Sequence, residues 1–212
     1  MENRMIKLYG SNSSIPLKVV PGHFVTSHSH VNYYIDMTTL KSRLSEASDI
    51  AQSLSGLYRA STIVDTILCL DGTQMIGTLL AEELTKAGFR SLNAHSTIYV
   101  TSPEYDANGQ MFFRDNIQPM IRGKNVLTLM ASVTTGMAAL QALECIEYYG
   151  GTSVGISAIF SKLRDIGGVS IRSVFDENVI PDYQSFSPRE CPLCKAGVKI
   201  DALVNSFGYS KL

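Results

Sequence analysis

Residues 126–133, Val-Leu-Thr-Leu-Met-Ala-Ser-Val, form a nearly continuous apolar run that stops at Thr134-Thr135-Gly136. A helical spacing follows at once through Met137, Leu140, Leu143, Cys145 and Ile146. The pattern predicts a buried strand, a small-residue turn, and a helix from Gly136 that closes at Gly150-Gly151. Similar blocks recur along the chain. Residues 31–37 read as a strand, after which Thr38 or Thr39 is placed to cap a helix with the stripe Leu40, Leu44, Ala47, Ala51, Leu54 and Leu57. Residues 62–70 read as a strand buried on both faces, and Asp71-Gly72-Thr73 as a turn. A helix over 74–87, ended by Gly88, comes next. Further strands are expected at 96–101, 125–130 and 152–160, with a further apolar segment at 169–175 and a long irregular loop over 102–116. Such alternation predicts an α/β fold with a central, mostly parallel sheet flanked by helices. One domain, residues 1–212, is expected. Its hood, about 15–37 with a tail about 181–212, should cover the sheet's carboxyl edge, where open α/β sheets bind ligands.

Chemistry concentrates at that edge. A strand feeding a tight turn into a helix start makes an anion pocket, because the first helical N–H groups and the helix dipole both favour phosphate. Thr134, Thr135, Gly136, Met137 and Ala138 are the phosphate-binding candidates, the two hydroxyls adding donors. A valine at position 136 is expected to crowd an incoming anion. His28 and His30 alternate and would share a strand face, as base or metal contacts or as a solvated edge. Tyr33 and Tyr34 can stack on a planar base or pack in the core.

Composition narrows the classes. The 212 residues are 45% hydrophobic and only 17% charged, with a formal charge of −1. That charge leaves no footprint for a nucleic-acid polymer. No apolar stretch reaches the roughly 18 residues of a membrane span, and the first fourteen residues are too polar for a secretory leader. A cytoplasmic protein is expected, with apolar surface hidden in an oligomer. Cys69 and Cys145 fall in apolar patterns and read as inert core thiols. Cys191 and Cys194 form a CxxC pair, but His23, His28, His30 and His95 are distant in sequence. The pair is therefore expected to order the tail, with no bound metal.

With its motifs in this order the chain resembles the orotate phosphoribosyltransferases, of the type I phosphoribosyltransferase family, over nearly its whole length. Val126 to Gly136 is similar to the family's phosphoribosyl-diphosphate (PRPP) loop, and Leu70-Asp-Gly-Thr-Gln-Met-Ile-Gly77 to its diphosphate-binding loop. Thr26-Ser-His-Ser-His-Val-Asn-Tyr-Tyr-Ile-Asp36 resembles its hood segment beside the pyrimidine. Pro188-Arg-Glu-Cys-Pro-Leu-Cys-Lys-Ala-Gly197 is similar to the ending of some bacterial members. The resemblance implies base contacts at Thr26, Tyr33, Tyr34 and Lys162, and diphosphate contacts at Asp71, Gly72 and Thr73. It also implies a homodimer whose 102–116 loop reaches the neighbour's site, and Mg²⁺ arriving only with PRPP.

The departures touch chemistry. The family's reaction displaces diphosphate from PRPP with orotate and needs an acidic pair on the ribose hydroxyls; here that pair is Met130-Ala131. Losing two charge-assisted hydrogen bonds costs about 3–6 kcal/mol. Residues 102–113 hold Glu104 and Asp106 but no Lys or Arg, leaving Arg114 as the nearby cation, and the family's Asp-Arg becomes Ser161-Lys162. The expectation is a protein that binds PRPP, a nucleotide 5′-phosphate or another phosphate ester, with weakened or altered catalysis and no assignable catalytic residue. The alternative is a non-catalytic nucleotide- or phosphate-binding regulator on the same fold.

Overall fold

The computed structural model describes residues 2–10, 15–86, 91–94 and 96–212. The expected helix end at Ala87 and Gly88, and His95, lie outside the described residues. The chain begins with strands β1 (Ile6–Tyr9), β2 (Pro16–Val25) and β3 (His30–Asp36). Helices α1 (Thr38–Ser42) and α2 (Leu44–Tyr58) lead to β4 (Thr66–Cys69), α3 (Gln74–Lys86) and β5 (Tyr99–Thr101). A small hairpin, β6 (Glu104–Tyr105) and β7 (Met111–Phe112), precedes β8 (Asn125–Val133), α4 (Met137–Tyr148) and β9 (Thr152–Ser161). The chain then forms β10 (Asp165–Ile166), β11 (Val169–Asp176), β12 (Ser185–Phe186), α5 (Pro192–Lys195), β13 (Ala202–Asn205) and β14 (Gly208–Lys211).

Two sheets divide the molecule. The central one runs β10-β11-β9-β8-β4-β5, parallel except for β10. Strand β8 lies inside it, and Val126 through Ala131 are all buried. Period-two alternation sends Leu127, Leu129 and Ala131 to the larger core with Ala47, Leu54, Ile76 and Leu80 of the α2 and α3 layer. Val126 and Met130 go to a second core, where they join Ala139, Ala142 and Ile146 of α4. This is the two-sided burial expected of a parallel sheet. The second sheet, the hood, runs β12-β3-β2-β13-β14, with β1 also on β2. The tail is therefore woven into the hood: β13 pairs in parallel with β2 through Ala202–Phe24 and Leu203–Val25.

Local differences from the pattern have physical causes. The helix expected after Thr38 breaks at Arg43, whose backbone is extended (φ −102°, ψ 119°). Neither Thr38 nor Thr39 caps it; the Asp36 carboxylate accepts the Thr38 N–H instead (3.0 Å). Leu44 and Leu57 lie outside the buried face, at 66% and 37% exposure, and Ile50 and Tyr58 replace them. The strand expected over 62–70 shortens to β4, and the loop after Ser102 contains the β6–β7 hairpin. The four cysteines are free, and burial pushes the Cys69 thiol up to about 12 and Cys145 to about 11. Among the described residues no helix is long and apolar enough to cross a membrane.

Gly136 has a different role from the one its motif implies. It caps α4 at φ +82°, and a Cβ there would lie 2.2 Å from Ile166 Cδ1 and 3.0 Å from Leu163 Cδ1. The added atom would strike the β10 segment rather than an anion. Gly136→Ala is therefore expected to lose about 1–2 kcal/mol of folding stability, the cost of a left-handed L-residue. Chemical denaturation measures it. A wild-type midpoint for the variant would contradict the backbone account.

Candidate functional site

Strand order reverses between β4 and β8: the chain moves outward from β4 to β5, then from β8 to β9 and β11 on the other side. A parallel sheet opens a crevice at the carboxyl ends of such a strand pair. Here two turns flank it, Asp71-Gly72-Thr73 after β4 and Thr134-Thr135-Gly136 after β8. The hood covers the opening and leaves a cleft of about 340 Å³.

The cleft gathers most of the residues the sequence singled out. Thr134, Thr135 and Ala138 line one wall, and Met130 and Ala131 lie at the end of β8 beside them. Gly136 and Met137 shape the helix start but are not in the lining, and the Met137 side chain is 60% exposed. The N–H groups of Met137, Ala138 and Ala139 begin α4 and so have no intrahelical acceptor, which leaves them available to an anion. Across the cleft stand Thr26, Tyr33 and Tyr34 from the hood. Tyr34 packs edge-on against Tyr209 (5.5 Å between rings), and burial pushes its hydroxyl up to about 12. The Thr26 hydroxyl accepts the N–H groups of His28 (3.2 Å) and Ser29 (2.9 Å), so it shapes its own bend. His28 faces the cleft from that bend while His30 starts β3, and the two histidines do not share a face.

Several expected contacts are redirected. Lys162 is absent from the lining; its ammonium donates to the Tyr183 carbonyl (3.2 Å) and sits over the Tyr183 ring (5.6 Å). Thr73 is buried and donates to the carbonyls of Leu70 (2.7 Å) and Leu129 (3.1 Å), stapling its turn to β8. Gly72 takes φ +75° beneath Lys41 and Phe207. Of the diphosphate-loop residues only Asp71 lines the cleft, with φ +58°. Its carboxylate accepts the Ala131 N–H (3.3 Å), beside the place where the family carries its acidic pair. Burial raises the Asp71 pKa above the ordinary carboxylate value, against the opposing pull of Ala131, Lys41 and Ser206. Arg114 is held by Glu104 through Nε (3.0 and 3.2 Å) and Nη2 (2.8 Å), at the base of the hairpin.

Lys41 is the residue the sequence did not disclose. From α1 it donates to the carbonyls of Asp71 (2.7 Å) and Ser206, tying the tail's turn to the turn after β4. Burial lowers its pKa, with Asp71 and Asp36 pulling the other way. In the sequence it is one polar position on a helix, and no spacing distinguishes it. The tail residues Val204, Asn205, Ser206 and Gly208 thereby join the lining. Among the described lining residues Asp71 is the one carboxylate, and none is a lysine or arginine.

The only grouping that could hold a metal among the described residues lies within the hood sheet and tail. His23, His30, Cys191 and Cys194 bring their donor atoms within 4.8 Å of one another. This corrects the expectation that the CxxC pair has no further ligands near it. The signal was the pairing of β2 with β3, which sets two histidines seven residues apart against one another.

No protein-family model matches the chain. It is 27% identical over 187 residues to an orotate phosphoribosyltransferase of Chlorobaculum parvum, covering 87% of this chain and 88% of the relative. Leishmania donovani UMP synthase matches with a TM-score of 0.56 and 18% identity; the match covers 77% of this chain and 34% of that longer one. The orotate phosphoribosyltransferase of Mycobacterium tuberculosis, solved in complex with PRPP, matches with a TM-score of 0.52 and 18% identity, over 69% of this chain and 82% of that one. The solved structures speak to the fold and the sequence relatives to the branch. Together they show a fold like that of the type I phosphoribosyltransferases and a sequence similar to orotate phosphoribosyltransferases over most of the chain, with Met130-Ala131 where the resemblance implies an acidic pair.

Proposed function

We propose that this protein holds PRPP or a nucleotide 5′-phosphate by its phosphate at residues 134–138, and converts PRPP and orotate slowly or not at all. One observation carries the reading. The cleft keeps the strand–turn–helix cradle, yet Met130 and Ala131 line it where ribose would lie, and no described lining residue is a lysine or arginine.

Each part has a physical role. The unpaired N–H groups and the dipole at the start of α4 attract a phosphate dianion, and the Thr134 and Thr135 hydroxyls orient to it. Half-buried Tyr33 offers a face to a planar base from the hood side, while Tyr34, packed against Phe24 and Tyr209, backs the cleft wall. Mg²⁺ would come with PRPP and supply charge neutralisation at the diphosphate. The protein adds little there, because Lys41 donates to two carbonyls and Arg114 is paired with Glu104. Among the described lining residues, charge that develops on the leaving group then meets no lysine or arginine, and electrostatic stabilisation of that kind is usually the largest catalytic contribution. The same pairing of Arg114 favours a second reading, a non-catalytic regulator that reports phosphate-ester levels.

Titration calorimetry with PRPP and Mg²⁺, followed by an orotate consumption assay, tests the proposal. Binding with turnover far below the ordinary range of about 1–1000 per second is expected. A turnover number inside that range would refute weakened catalysis; no heat and no thermal stabilisation by PRPP or 5′-nucleotides would refute the ligand. Because site groups act as a unit, the Met130→Asp/Ala131→Asp double variant is expected to tighten PRPP binding roughly tenfold or more, about one charge-assisted hydrogen bond. Turnover should stay low until a lysine is also placed in the 102–113 loop.

Asp71 gives a pH test. Its folded pKa is raised, so its stability contribution is present at low pH and is lost as pH rises through that folded value. Asp71→Asn keeps an acceptor for the Ala131 N–H and tolerates the left-handed backbone. It is expected to melt a few degrees above wild type near neutral pH, with the gap closing on acidification. Melting curves across pH check this, and a gap that widens in acid would contradict it. The low charged fraction and the family resemblance support a homodimer, so light scattering should return about twice the 23.2 kDa chain mass. A stable monomer at micromolar concentration would count against it.

A further inference from the structure

The CxxC turn belongs to a second centre, away from the phosphate cradle. Cys191 precedes α5 and Cys194 lies within it, so a spacing of three residues turns both sulfurs to one side. Opposite them, β2 and β3 present His23 and His30. The separations are His23 Nε2 to His30 Nδ1 3.0 Å, Cys191 Sγ to His23 Nε2 3.6 Å, Cys194 Sγ to His23 Nε2 3.6 Å, and Cys194 Sγ to His30 Nδ1 3.3 Å. A tetrahedral zinc with ordinary bond lengths requires ~3.3 Å between nitrogens and ~3.6 Å between nitrogen and sulfur. These four separations match the expected edges to within a few tenths of an ångström, and the two remaining edges, from Cys191 Sγ to Cys194 Sγ and to His30 Nδ1, lie within 4.8 Å.

We propose that His23, His30, Cys191 and Cys194 form a tetrahedral zinc site that clasps the C-terminal segment onto the hood. Two thiolates and two imidazoles in a closed tetrahedron are the donor set of structural zinc. The surroundings fix the ligands. His23 Nδ1 lies 2.9 Å from the Val198 carbonyl, which can only accept, so Nδ1 carries the proton and Nε2 presents its lone pair to the centre. The His23 backbone is gripped as well: its N–H donates to Asp201 Oδ2 (3.0 Å), and the Asp201 N–H donates back to the His23 carbonyl (2.8 Å). Gly22 makes room for this, since a Cβ there would lie 2.4 Å from Asp201 Oδ2. His23 and Cys191 are fully buried, and the exposed Cys194 leaves a way in for the ion.

Binding requires both sulfurs as thiolates and His30 as the neutral tautomer that carries its proton on Nε2, so zinc capture releases the thiol protons and leaves no oxidised sulfur. The clasp joins chain segments about 170 residues apart, as His23 and Cys194 are. Its free energy of binding is therefore folding free energy for the tail. The same tail delivers Asn205, Ser206 and Gly208 to the cleft. The site is thus structural for the hood, and it stands whether or not the cleft turns over PRPP.

The test uses the full chain, supplied with zinc during expression, then desalted. Elemental analysis is expected to find one zinc per chain, and exchange for cobalt to give the visible absorption of a tetrahedral thiolate complex. Cys194→Ser, at an exposed position, and His30→Asn should each lose the metal. Chelation should lower the melting temperature of wild type and leave Cys194→Ser unchanged. Cys145→Ser, remote from the cluster, should keep full metal content and so separates loss of ligand from general damage. Wild type holding far less than one ion per chain after reconstitution would overturn the site. So would a Cys191–Cys194 disulfide in the native protein by mass spectrometry, or full zinc content in Cys194→Ser. Zinc that binds but leaves the melting temperature unmoved on chelation would overturn the clasp.

Discussion

The hydrogen-bonded register of β8 between β4 and β9 is the constraint on which the other elements depend. Leu129 lies opposite Cys69 on one side and Ser157 on the other, so both edges of the strand are satisfied and both faces are covered. A one-residue slip would exchange Leu127, Leu129 and Ala131 with Val126 and Met130, sending each set into the wrong core. The register therefore fixes where the strand ends, and with it the height at which Thr134 and Thr135 meet the turn after β4. The strand–turn–helix corner at residues 134–136 is a by-product of packing already fixed.

Placed this way, the end of β8 favours apolar residues at positions 130 and 131. Met130 and Ala131 are 2% and 3% exposed, and both take part in apolar packing. Apolar residues at the end of a buried strand fit that environment better than carboxylates do, since a buried carboxylate must find partners. Asp71 shows what the alternative demands: its carboxylate draws on the Ala131 N–H, Lys41 and Ser206 and still has its pKa raised.

The sequence disclosed what depends on local periodicity. Strand and helix alternation, the switch-point corner and the two flanking turns all followed from apolar spacing and small residues. What escaped it depends on contacts across long stretches of chain. Lys41 reads as an ordinary helical lysine until the tail's Ser206 carbonyl arrives over it. Lys162 reads as a base contact by position, yet the Tyr183 ring and carbonyl take it. Gly136 reads as room for an anion, whereas its missing Cβ makes room for Ile166. His23 and His30 look unrelated to Cys191 and Cys194 because about 160 to 170 residues separate them. Register across a sheet is a tertiary fact, and no window along the chain contains it.

The parallel β13–β2 pairing carries a consequence for biosynthesis. Phe24 and Val25 leave the ribosome with one edge of β2 open, and their partners Ala202 and Leu203 follow nearly 180 residues later. At about 5–20 residues per second the wait is roughly 10–35 s. Over that interval the central sheet can close on contacts local to its own βαβ units, while the β2–β3 hairpin presents an unpaired edge to any neighbouring nascent chain. The 24–25 edge of the hood is then among the last parts of the molecule to gain its partner strand.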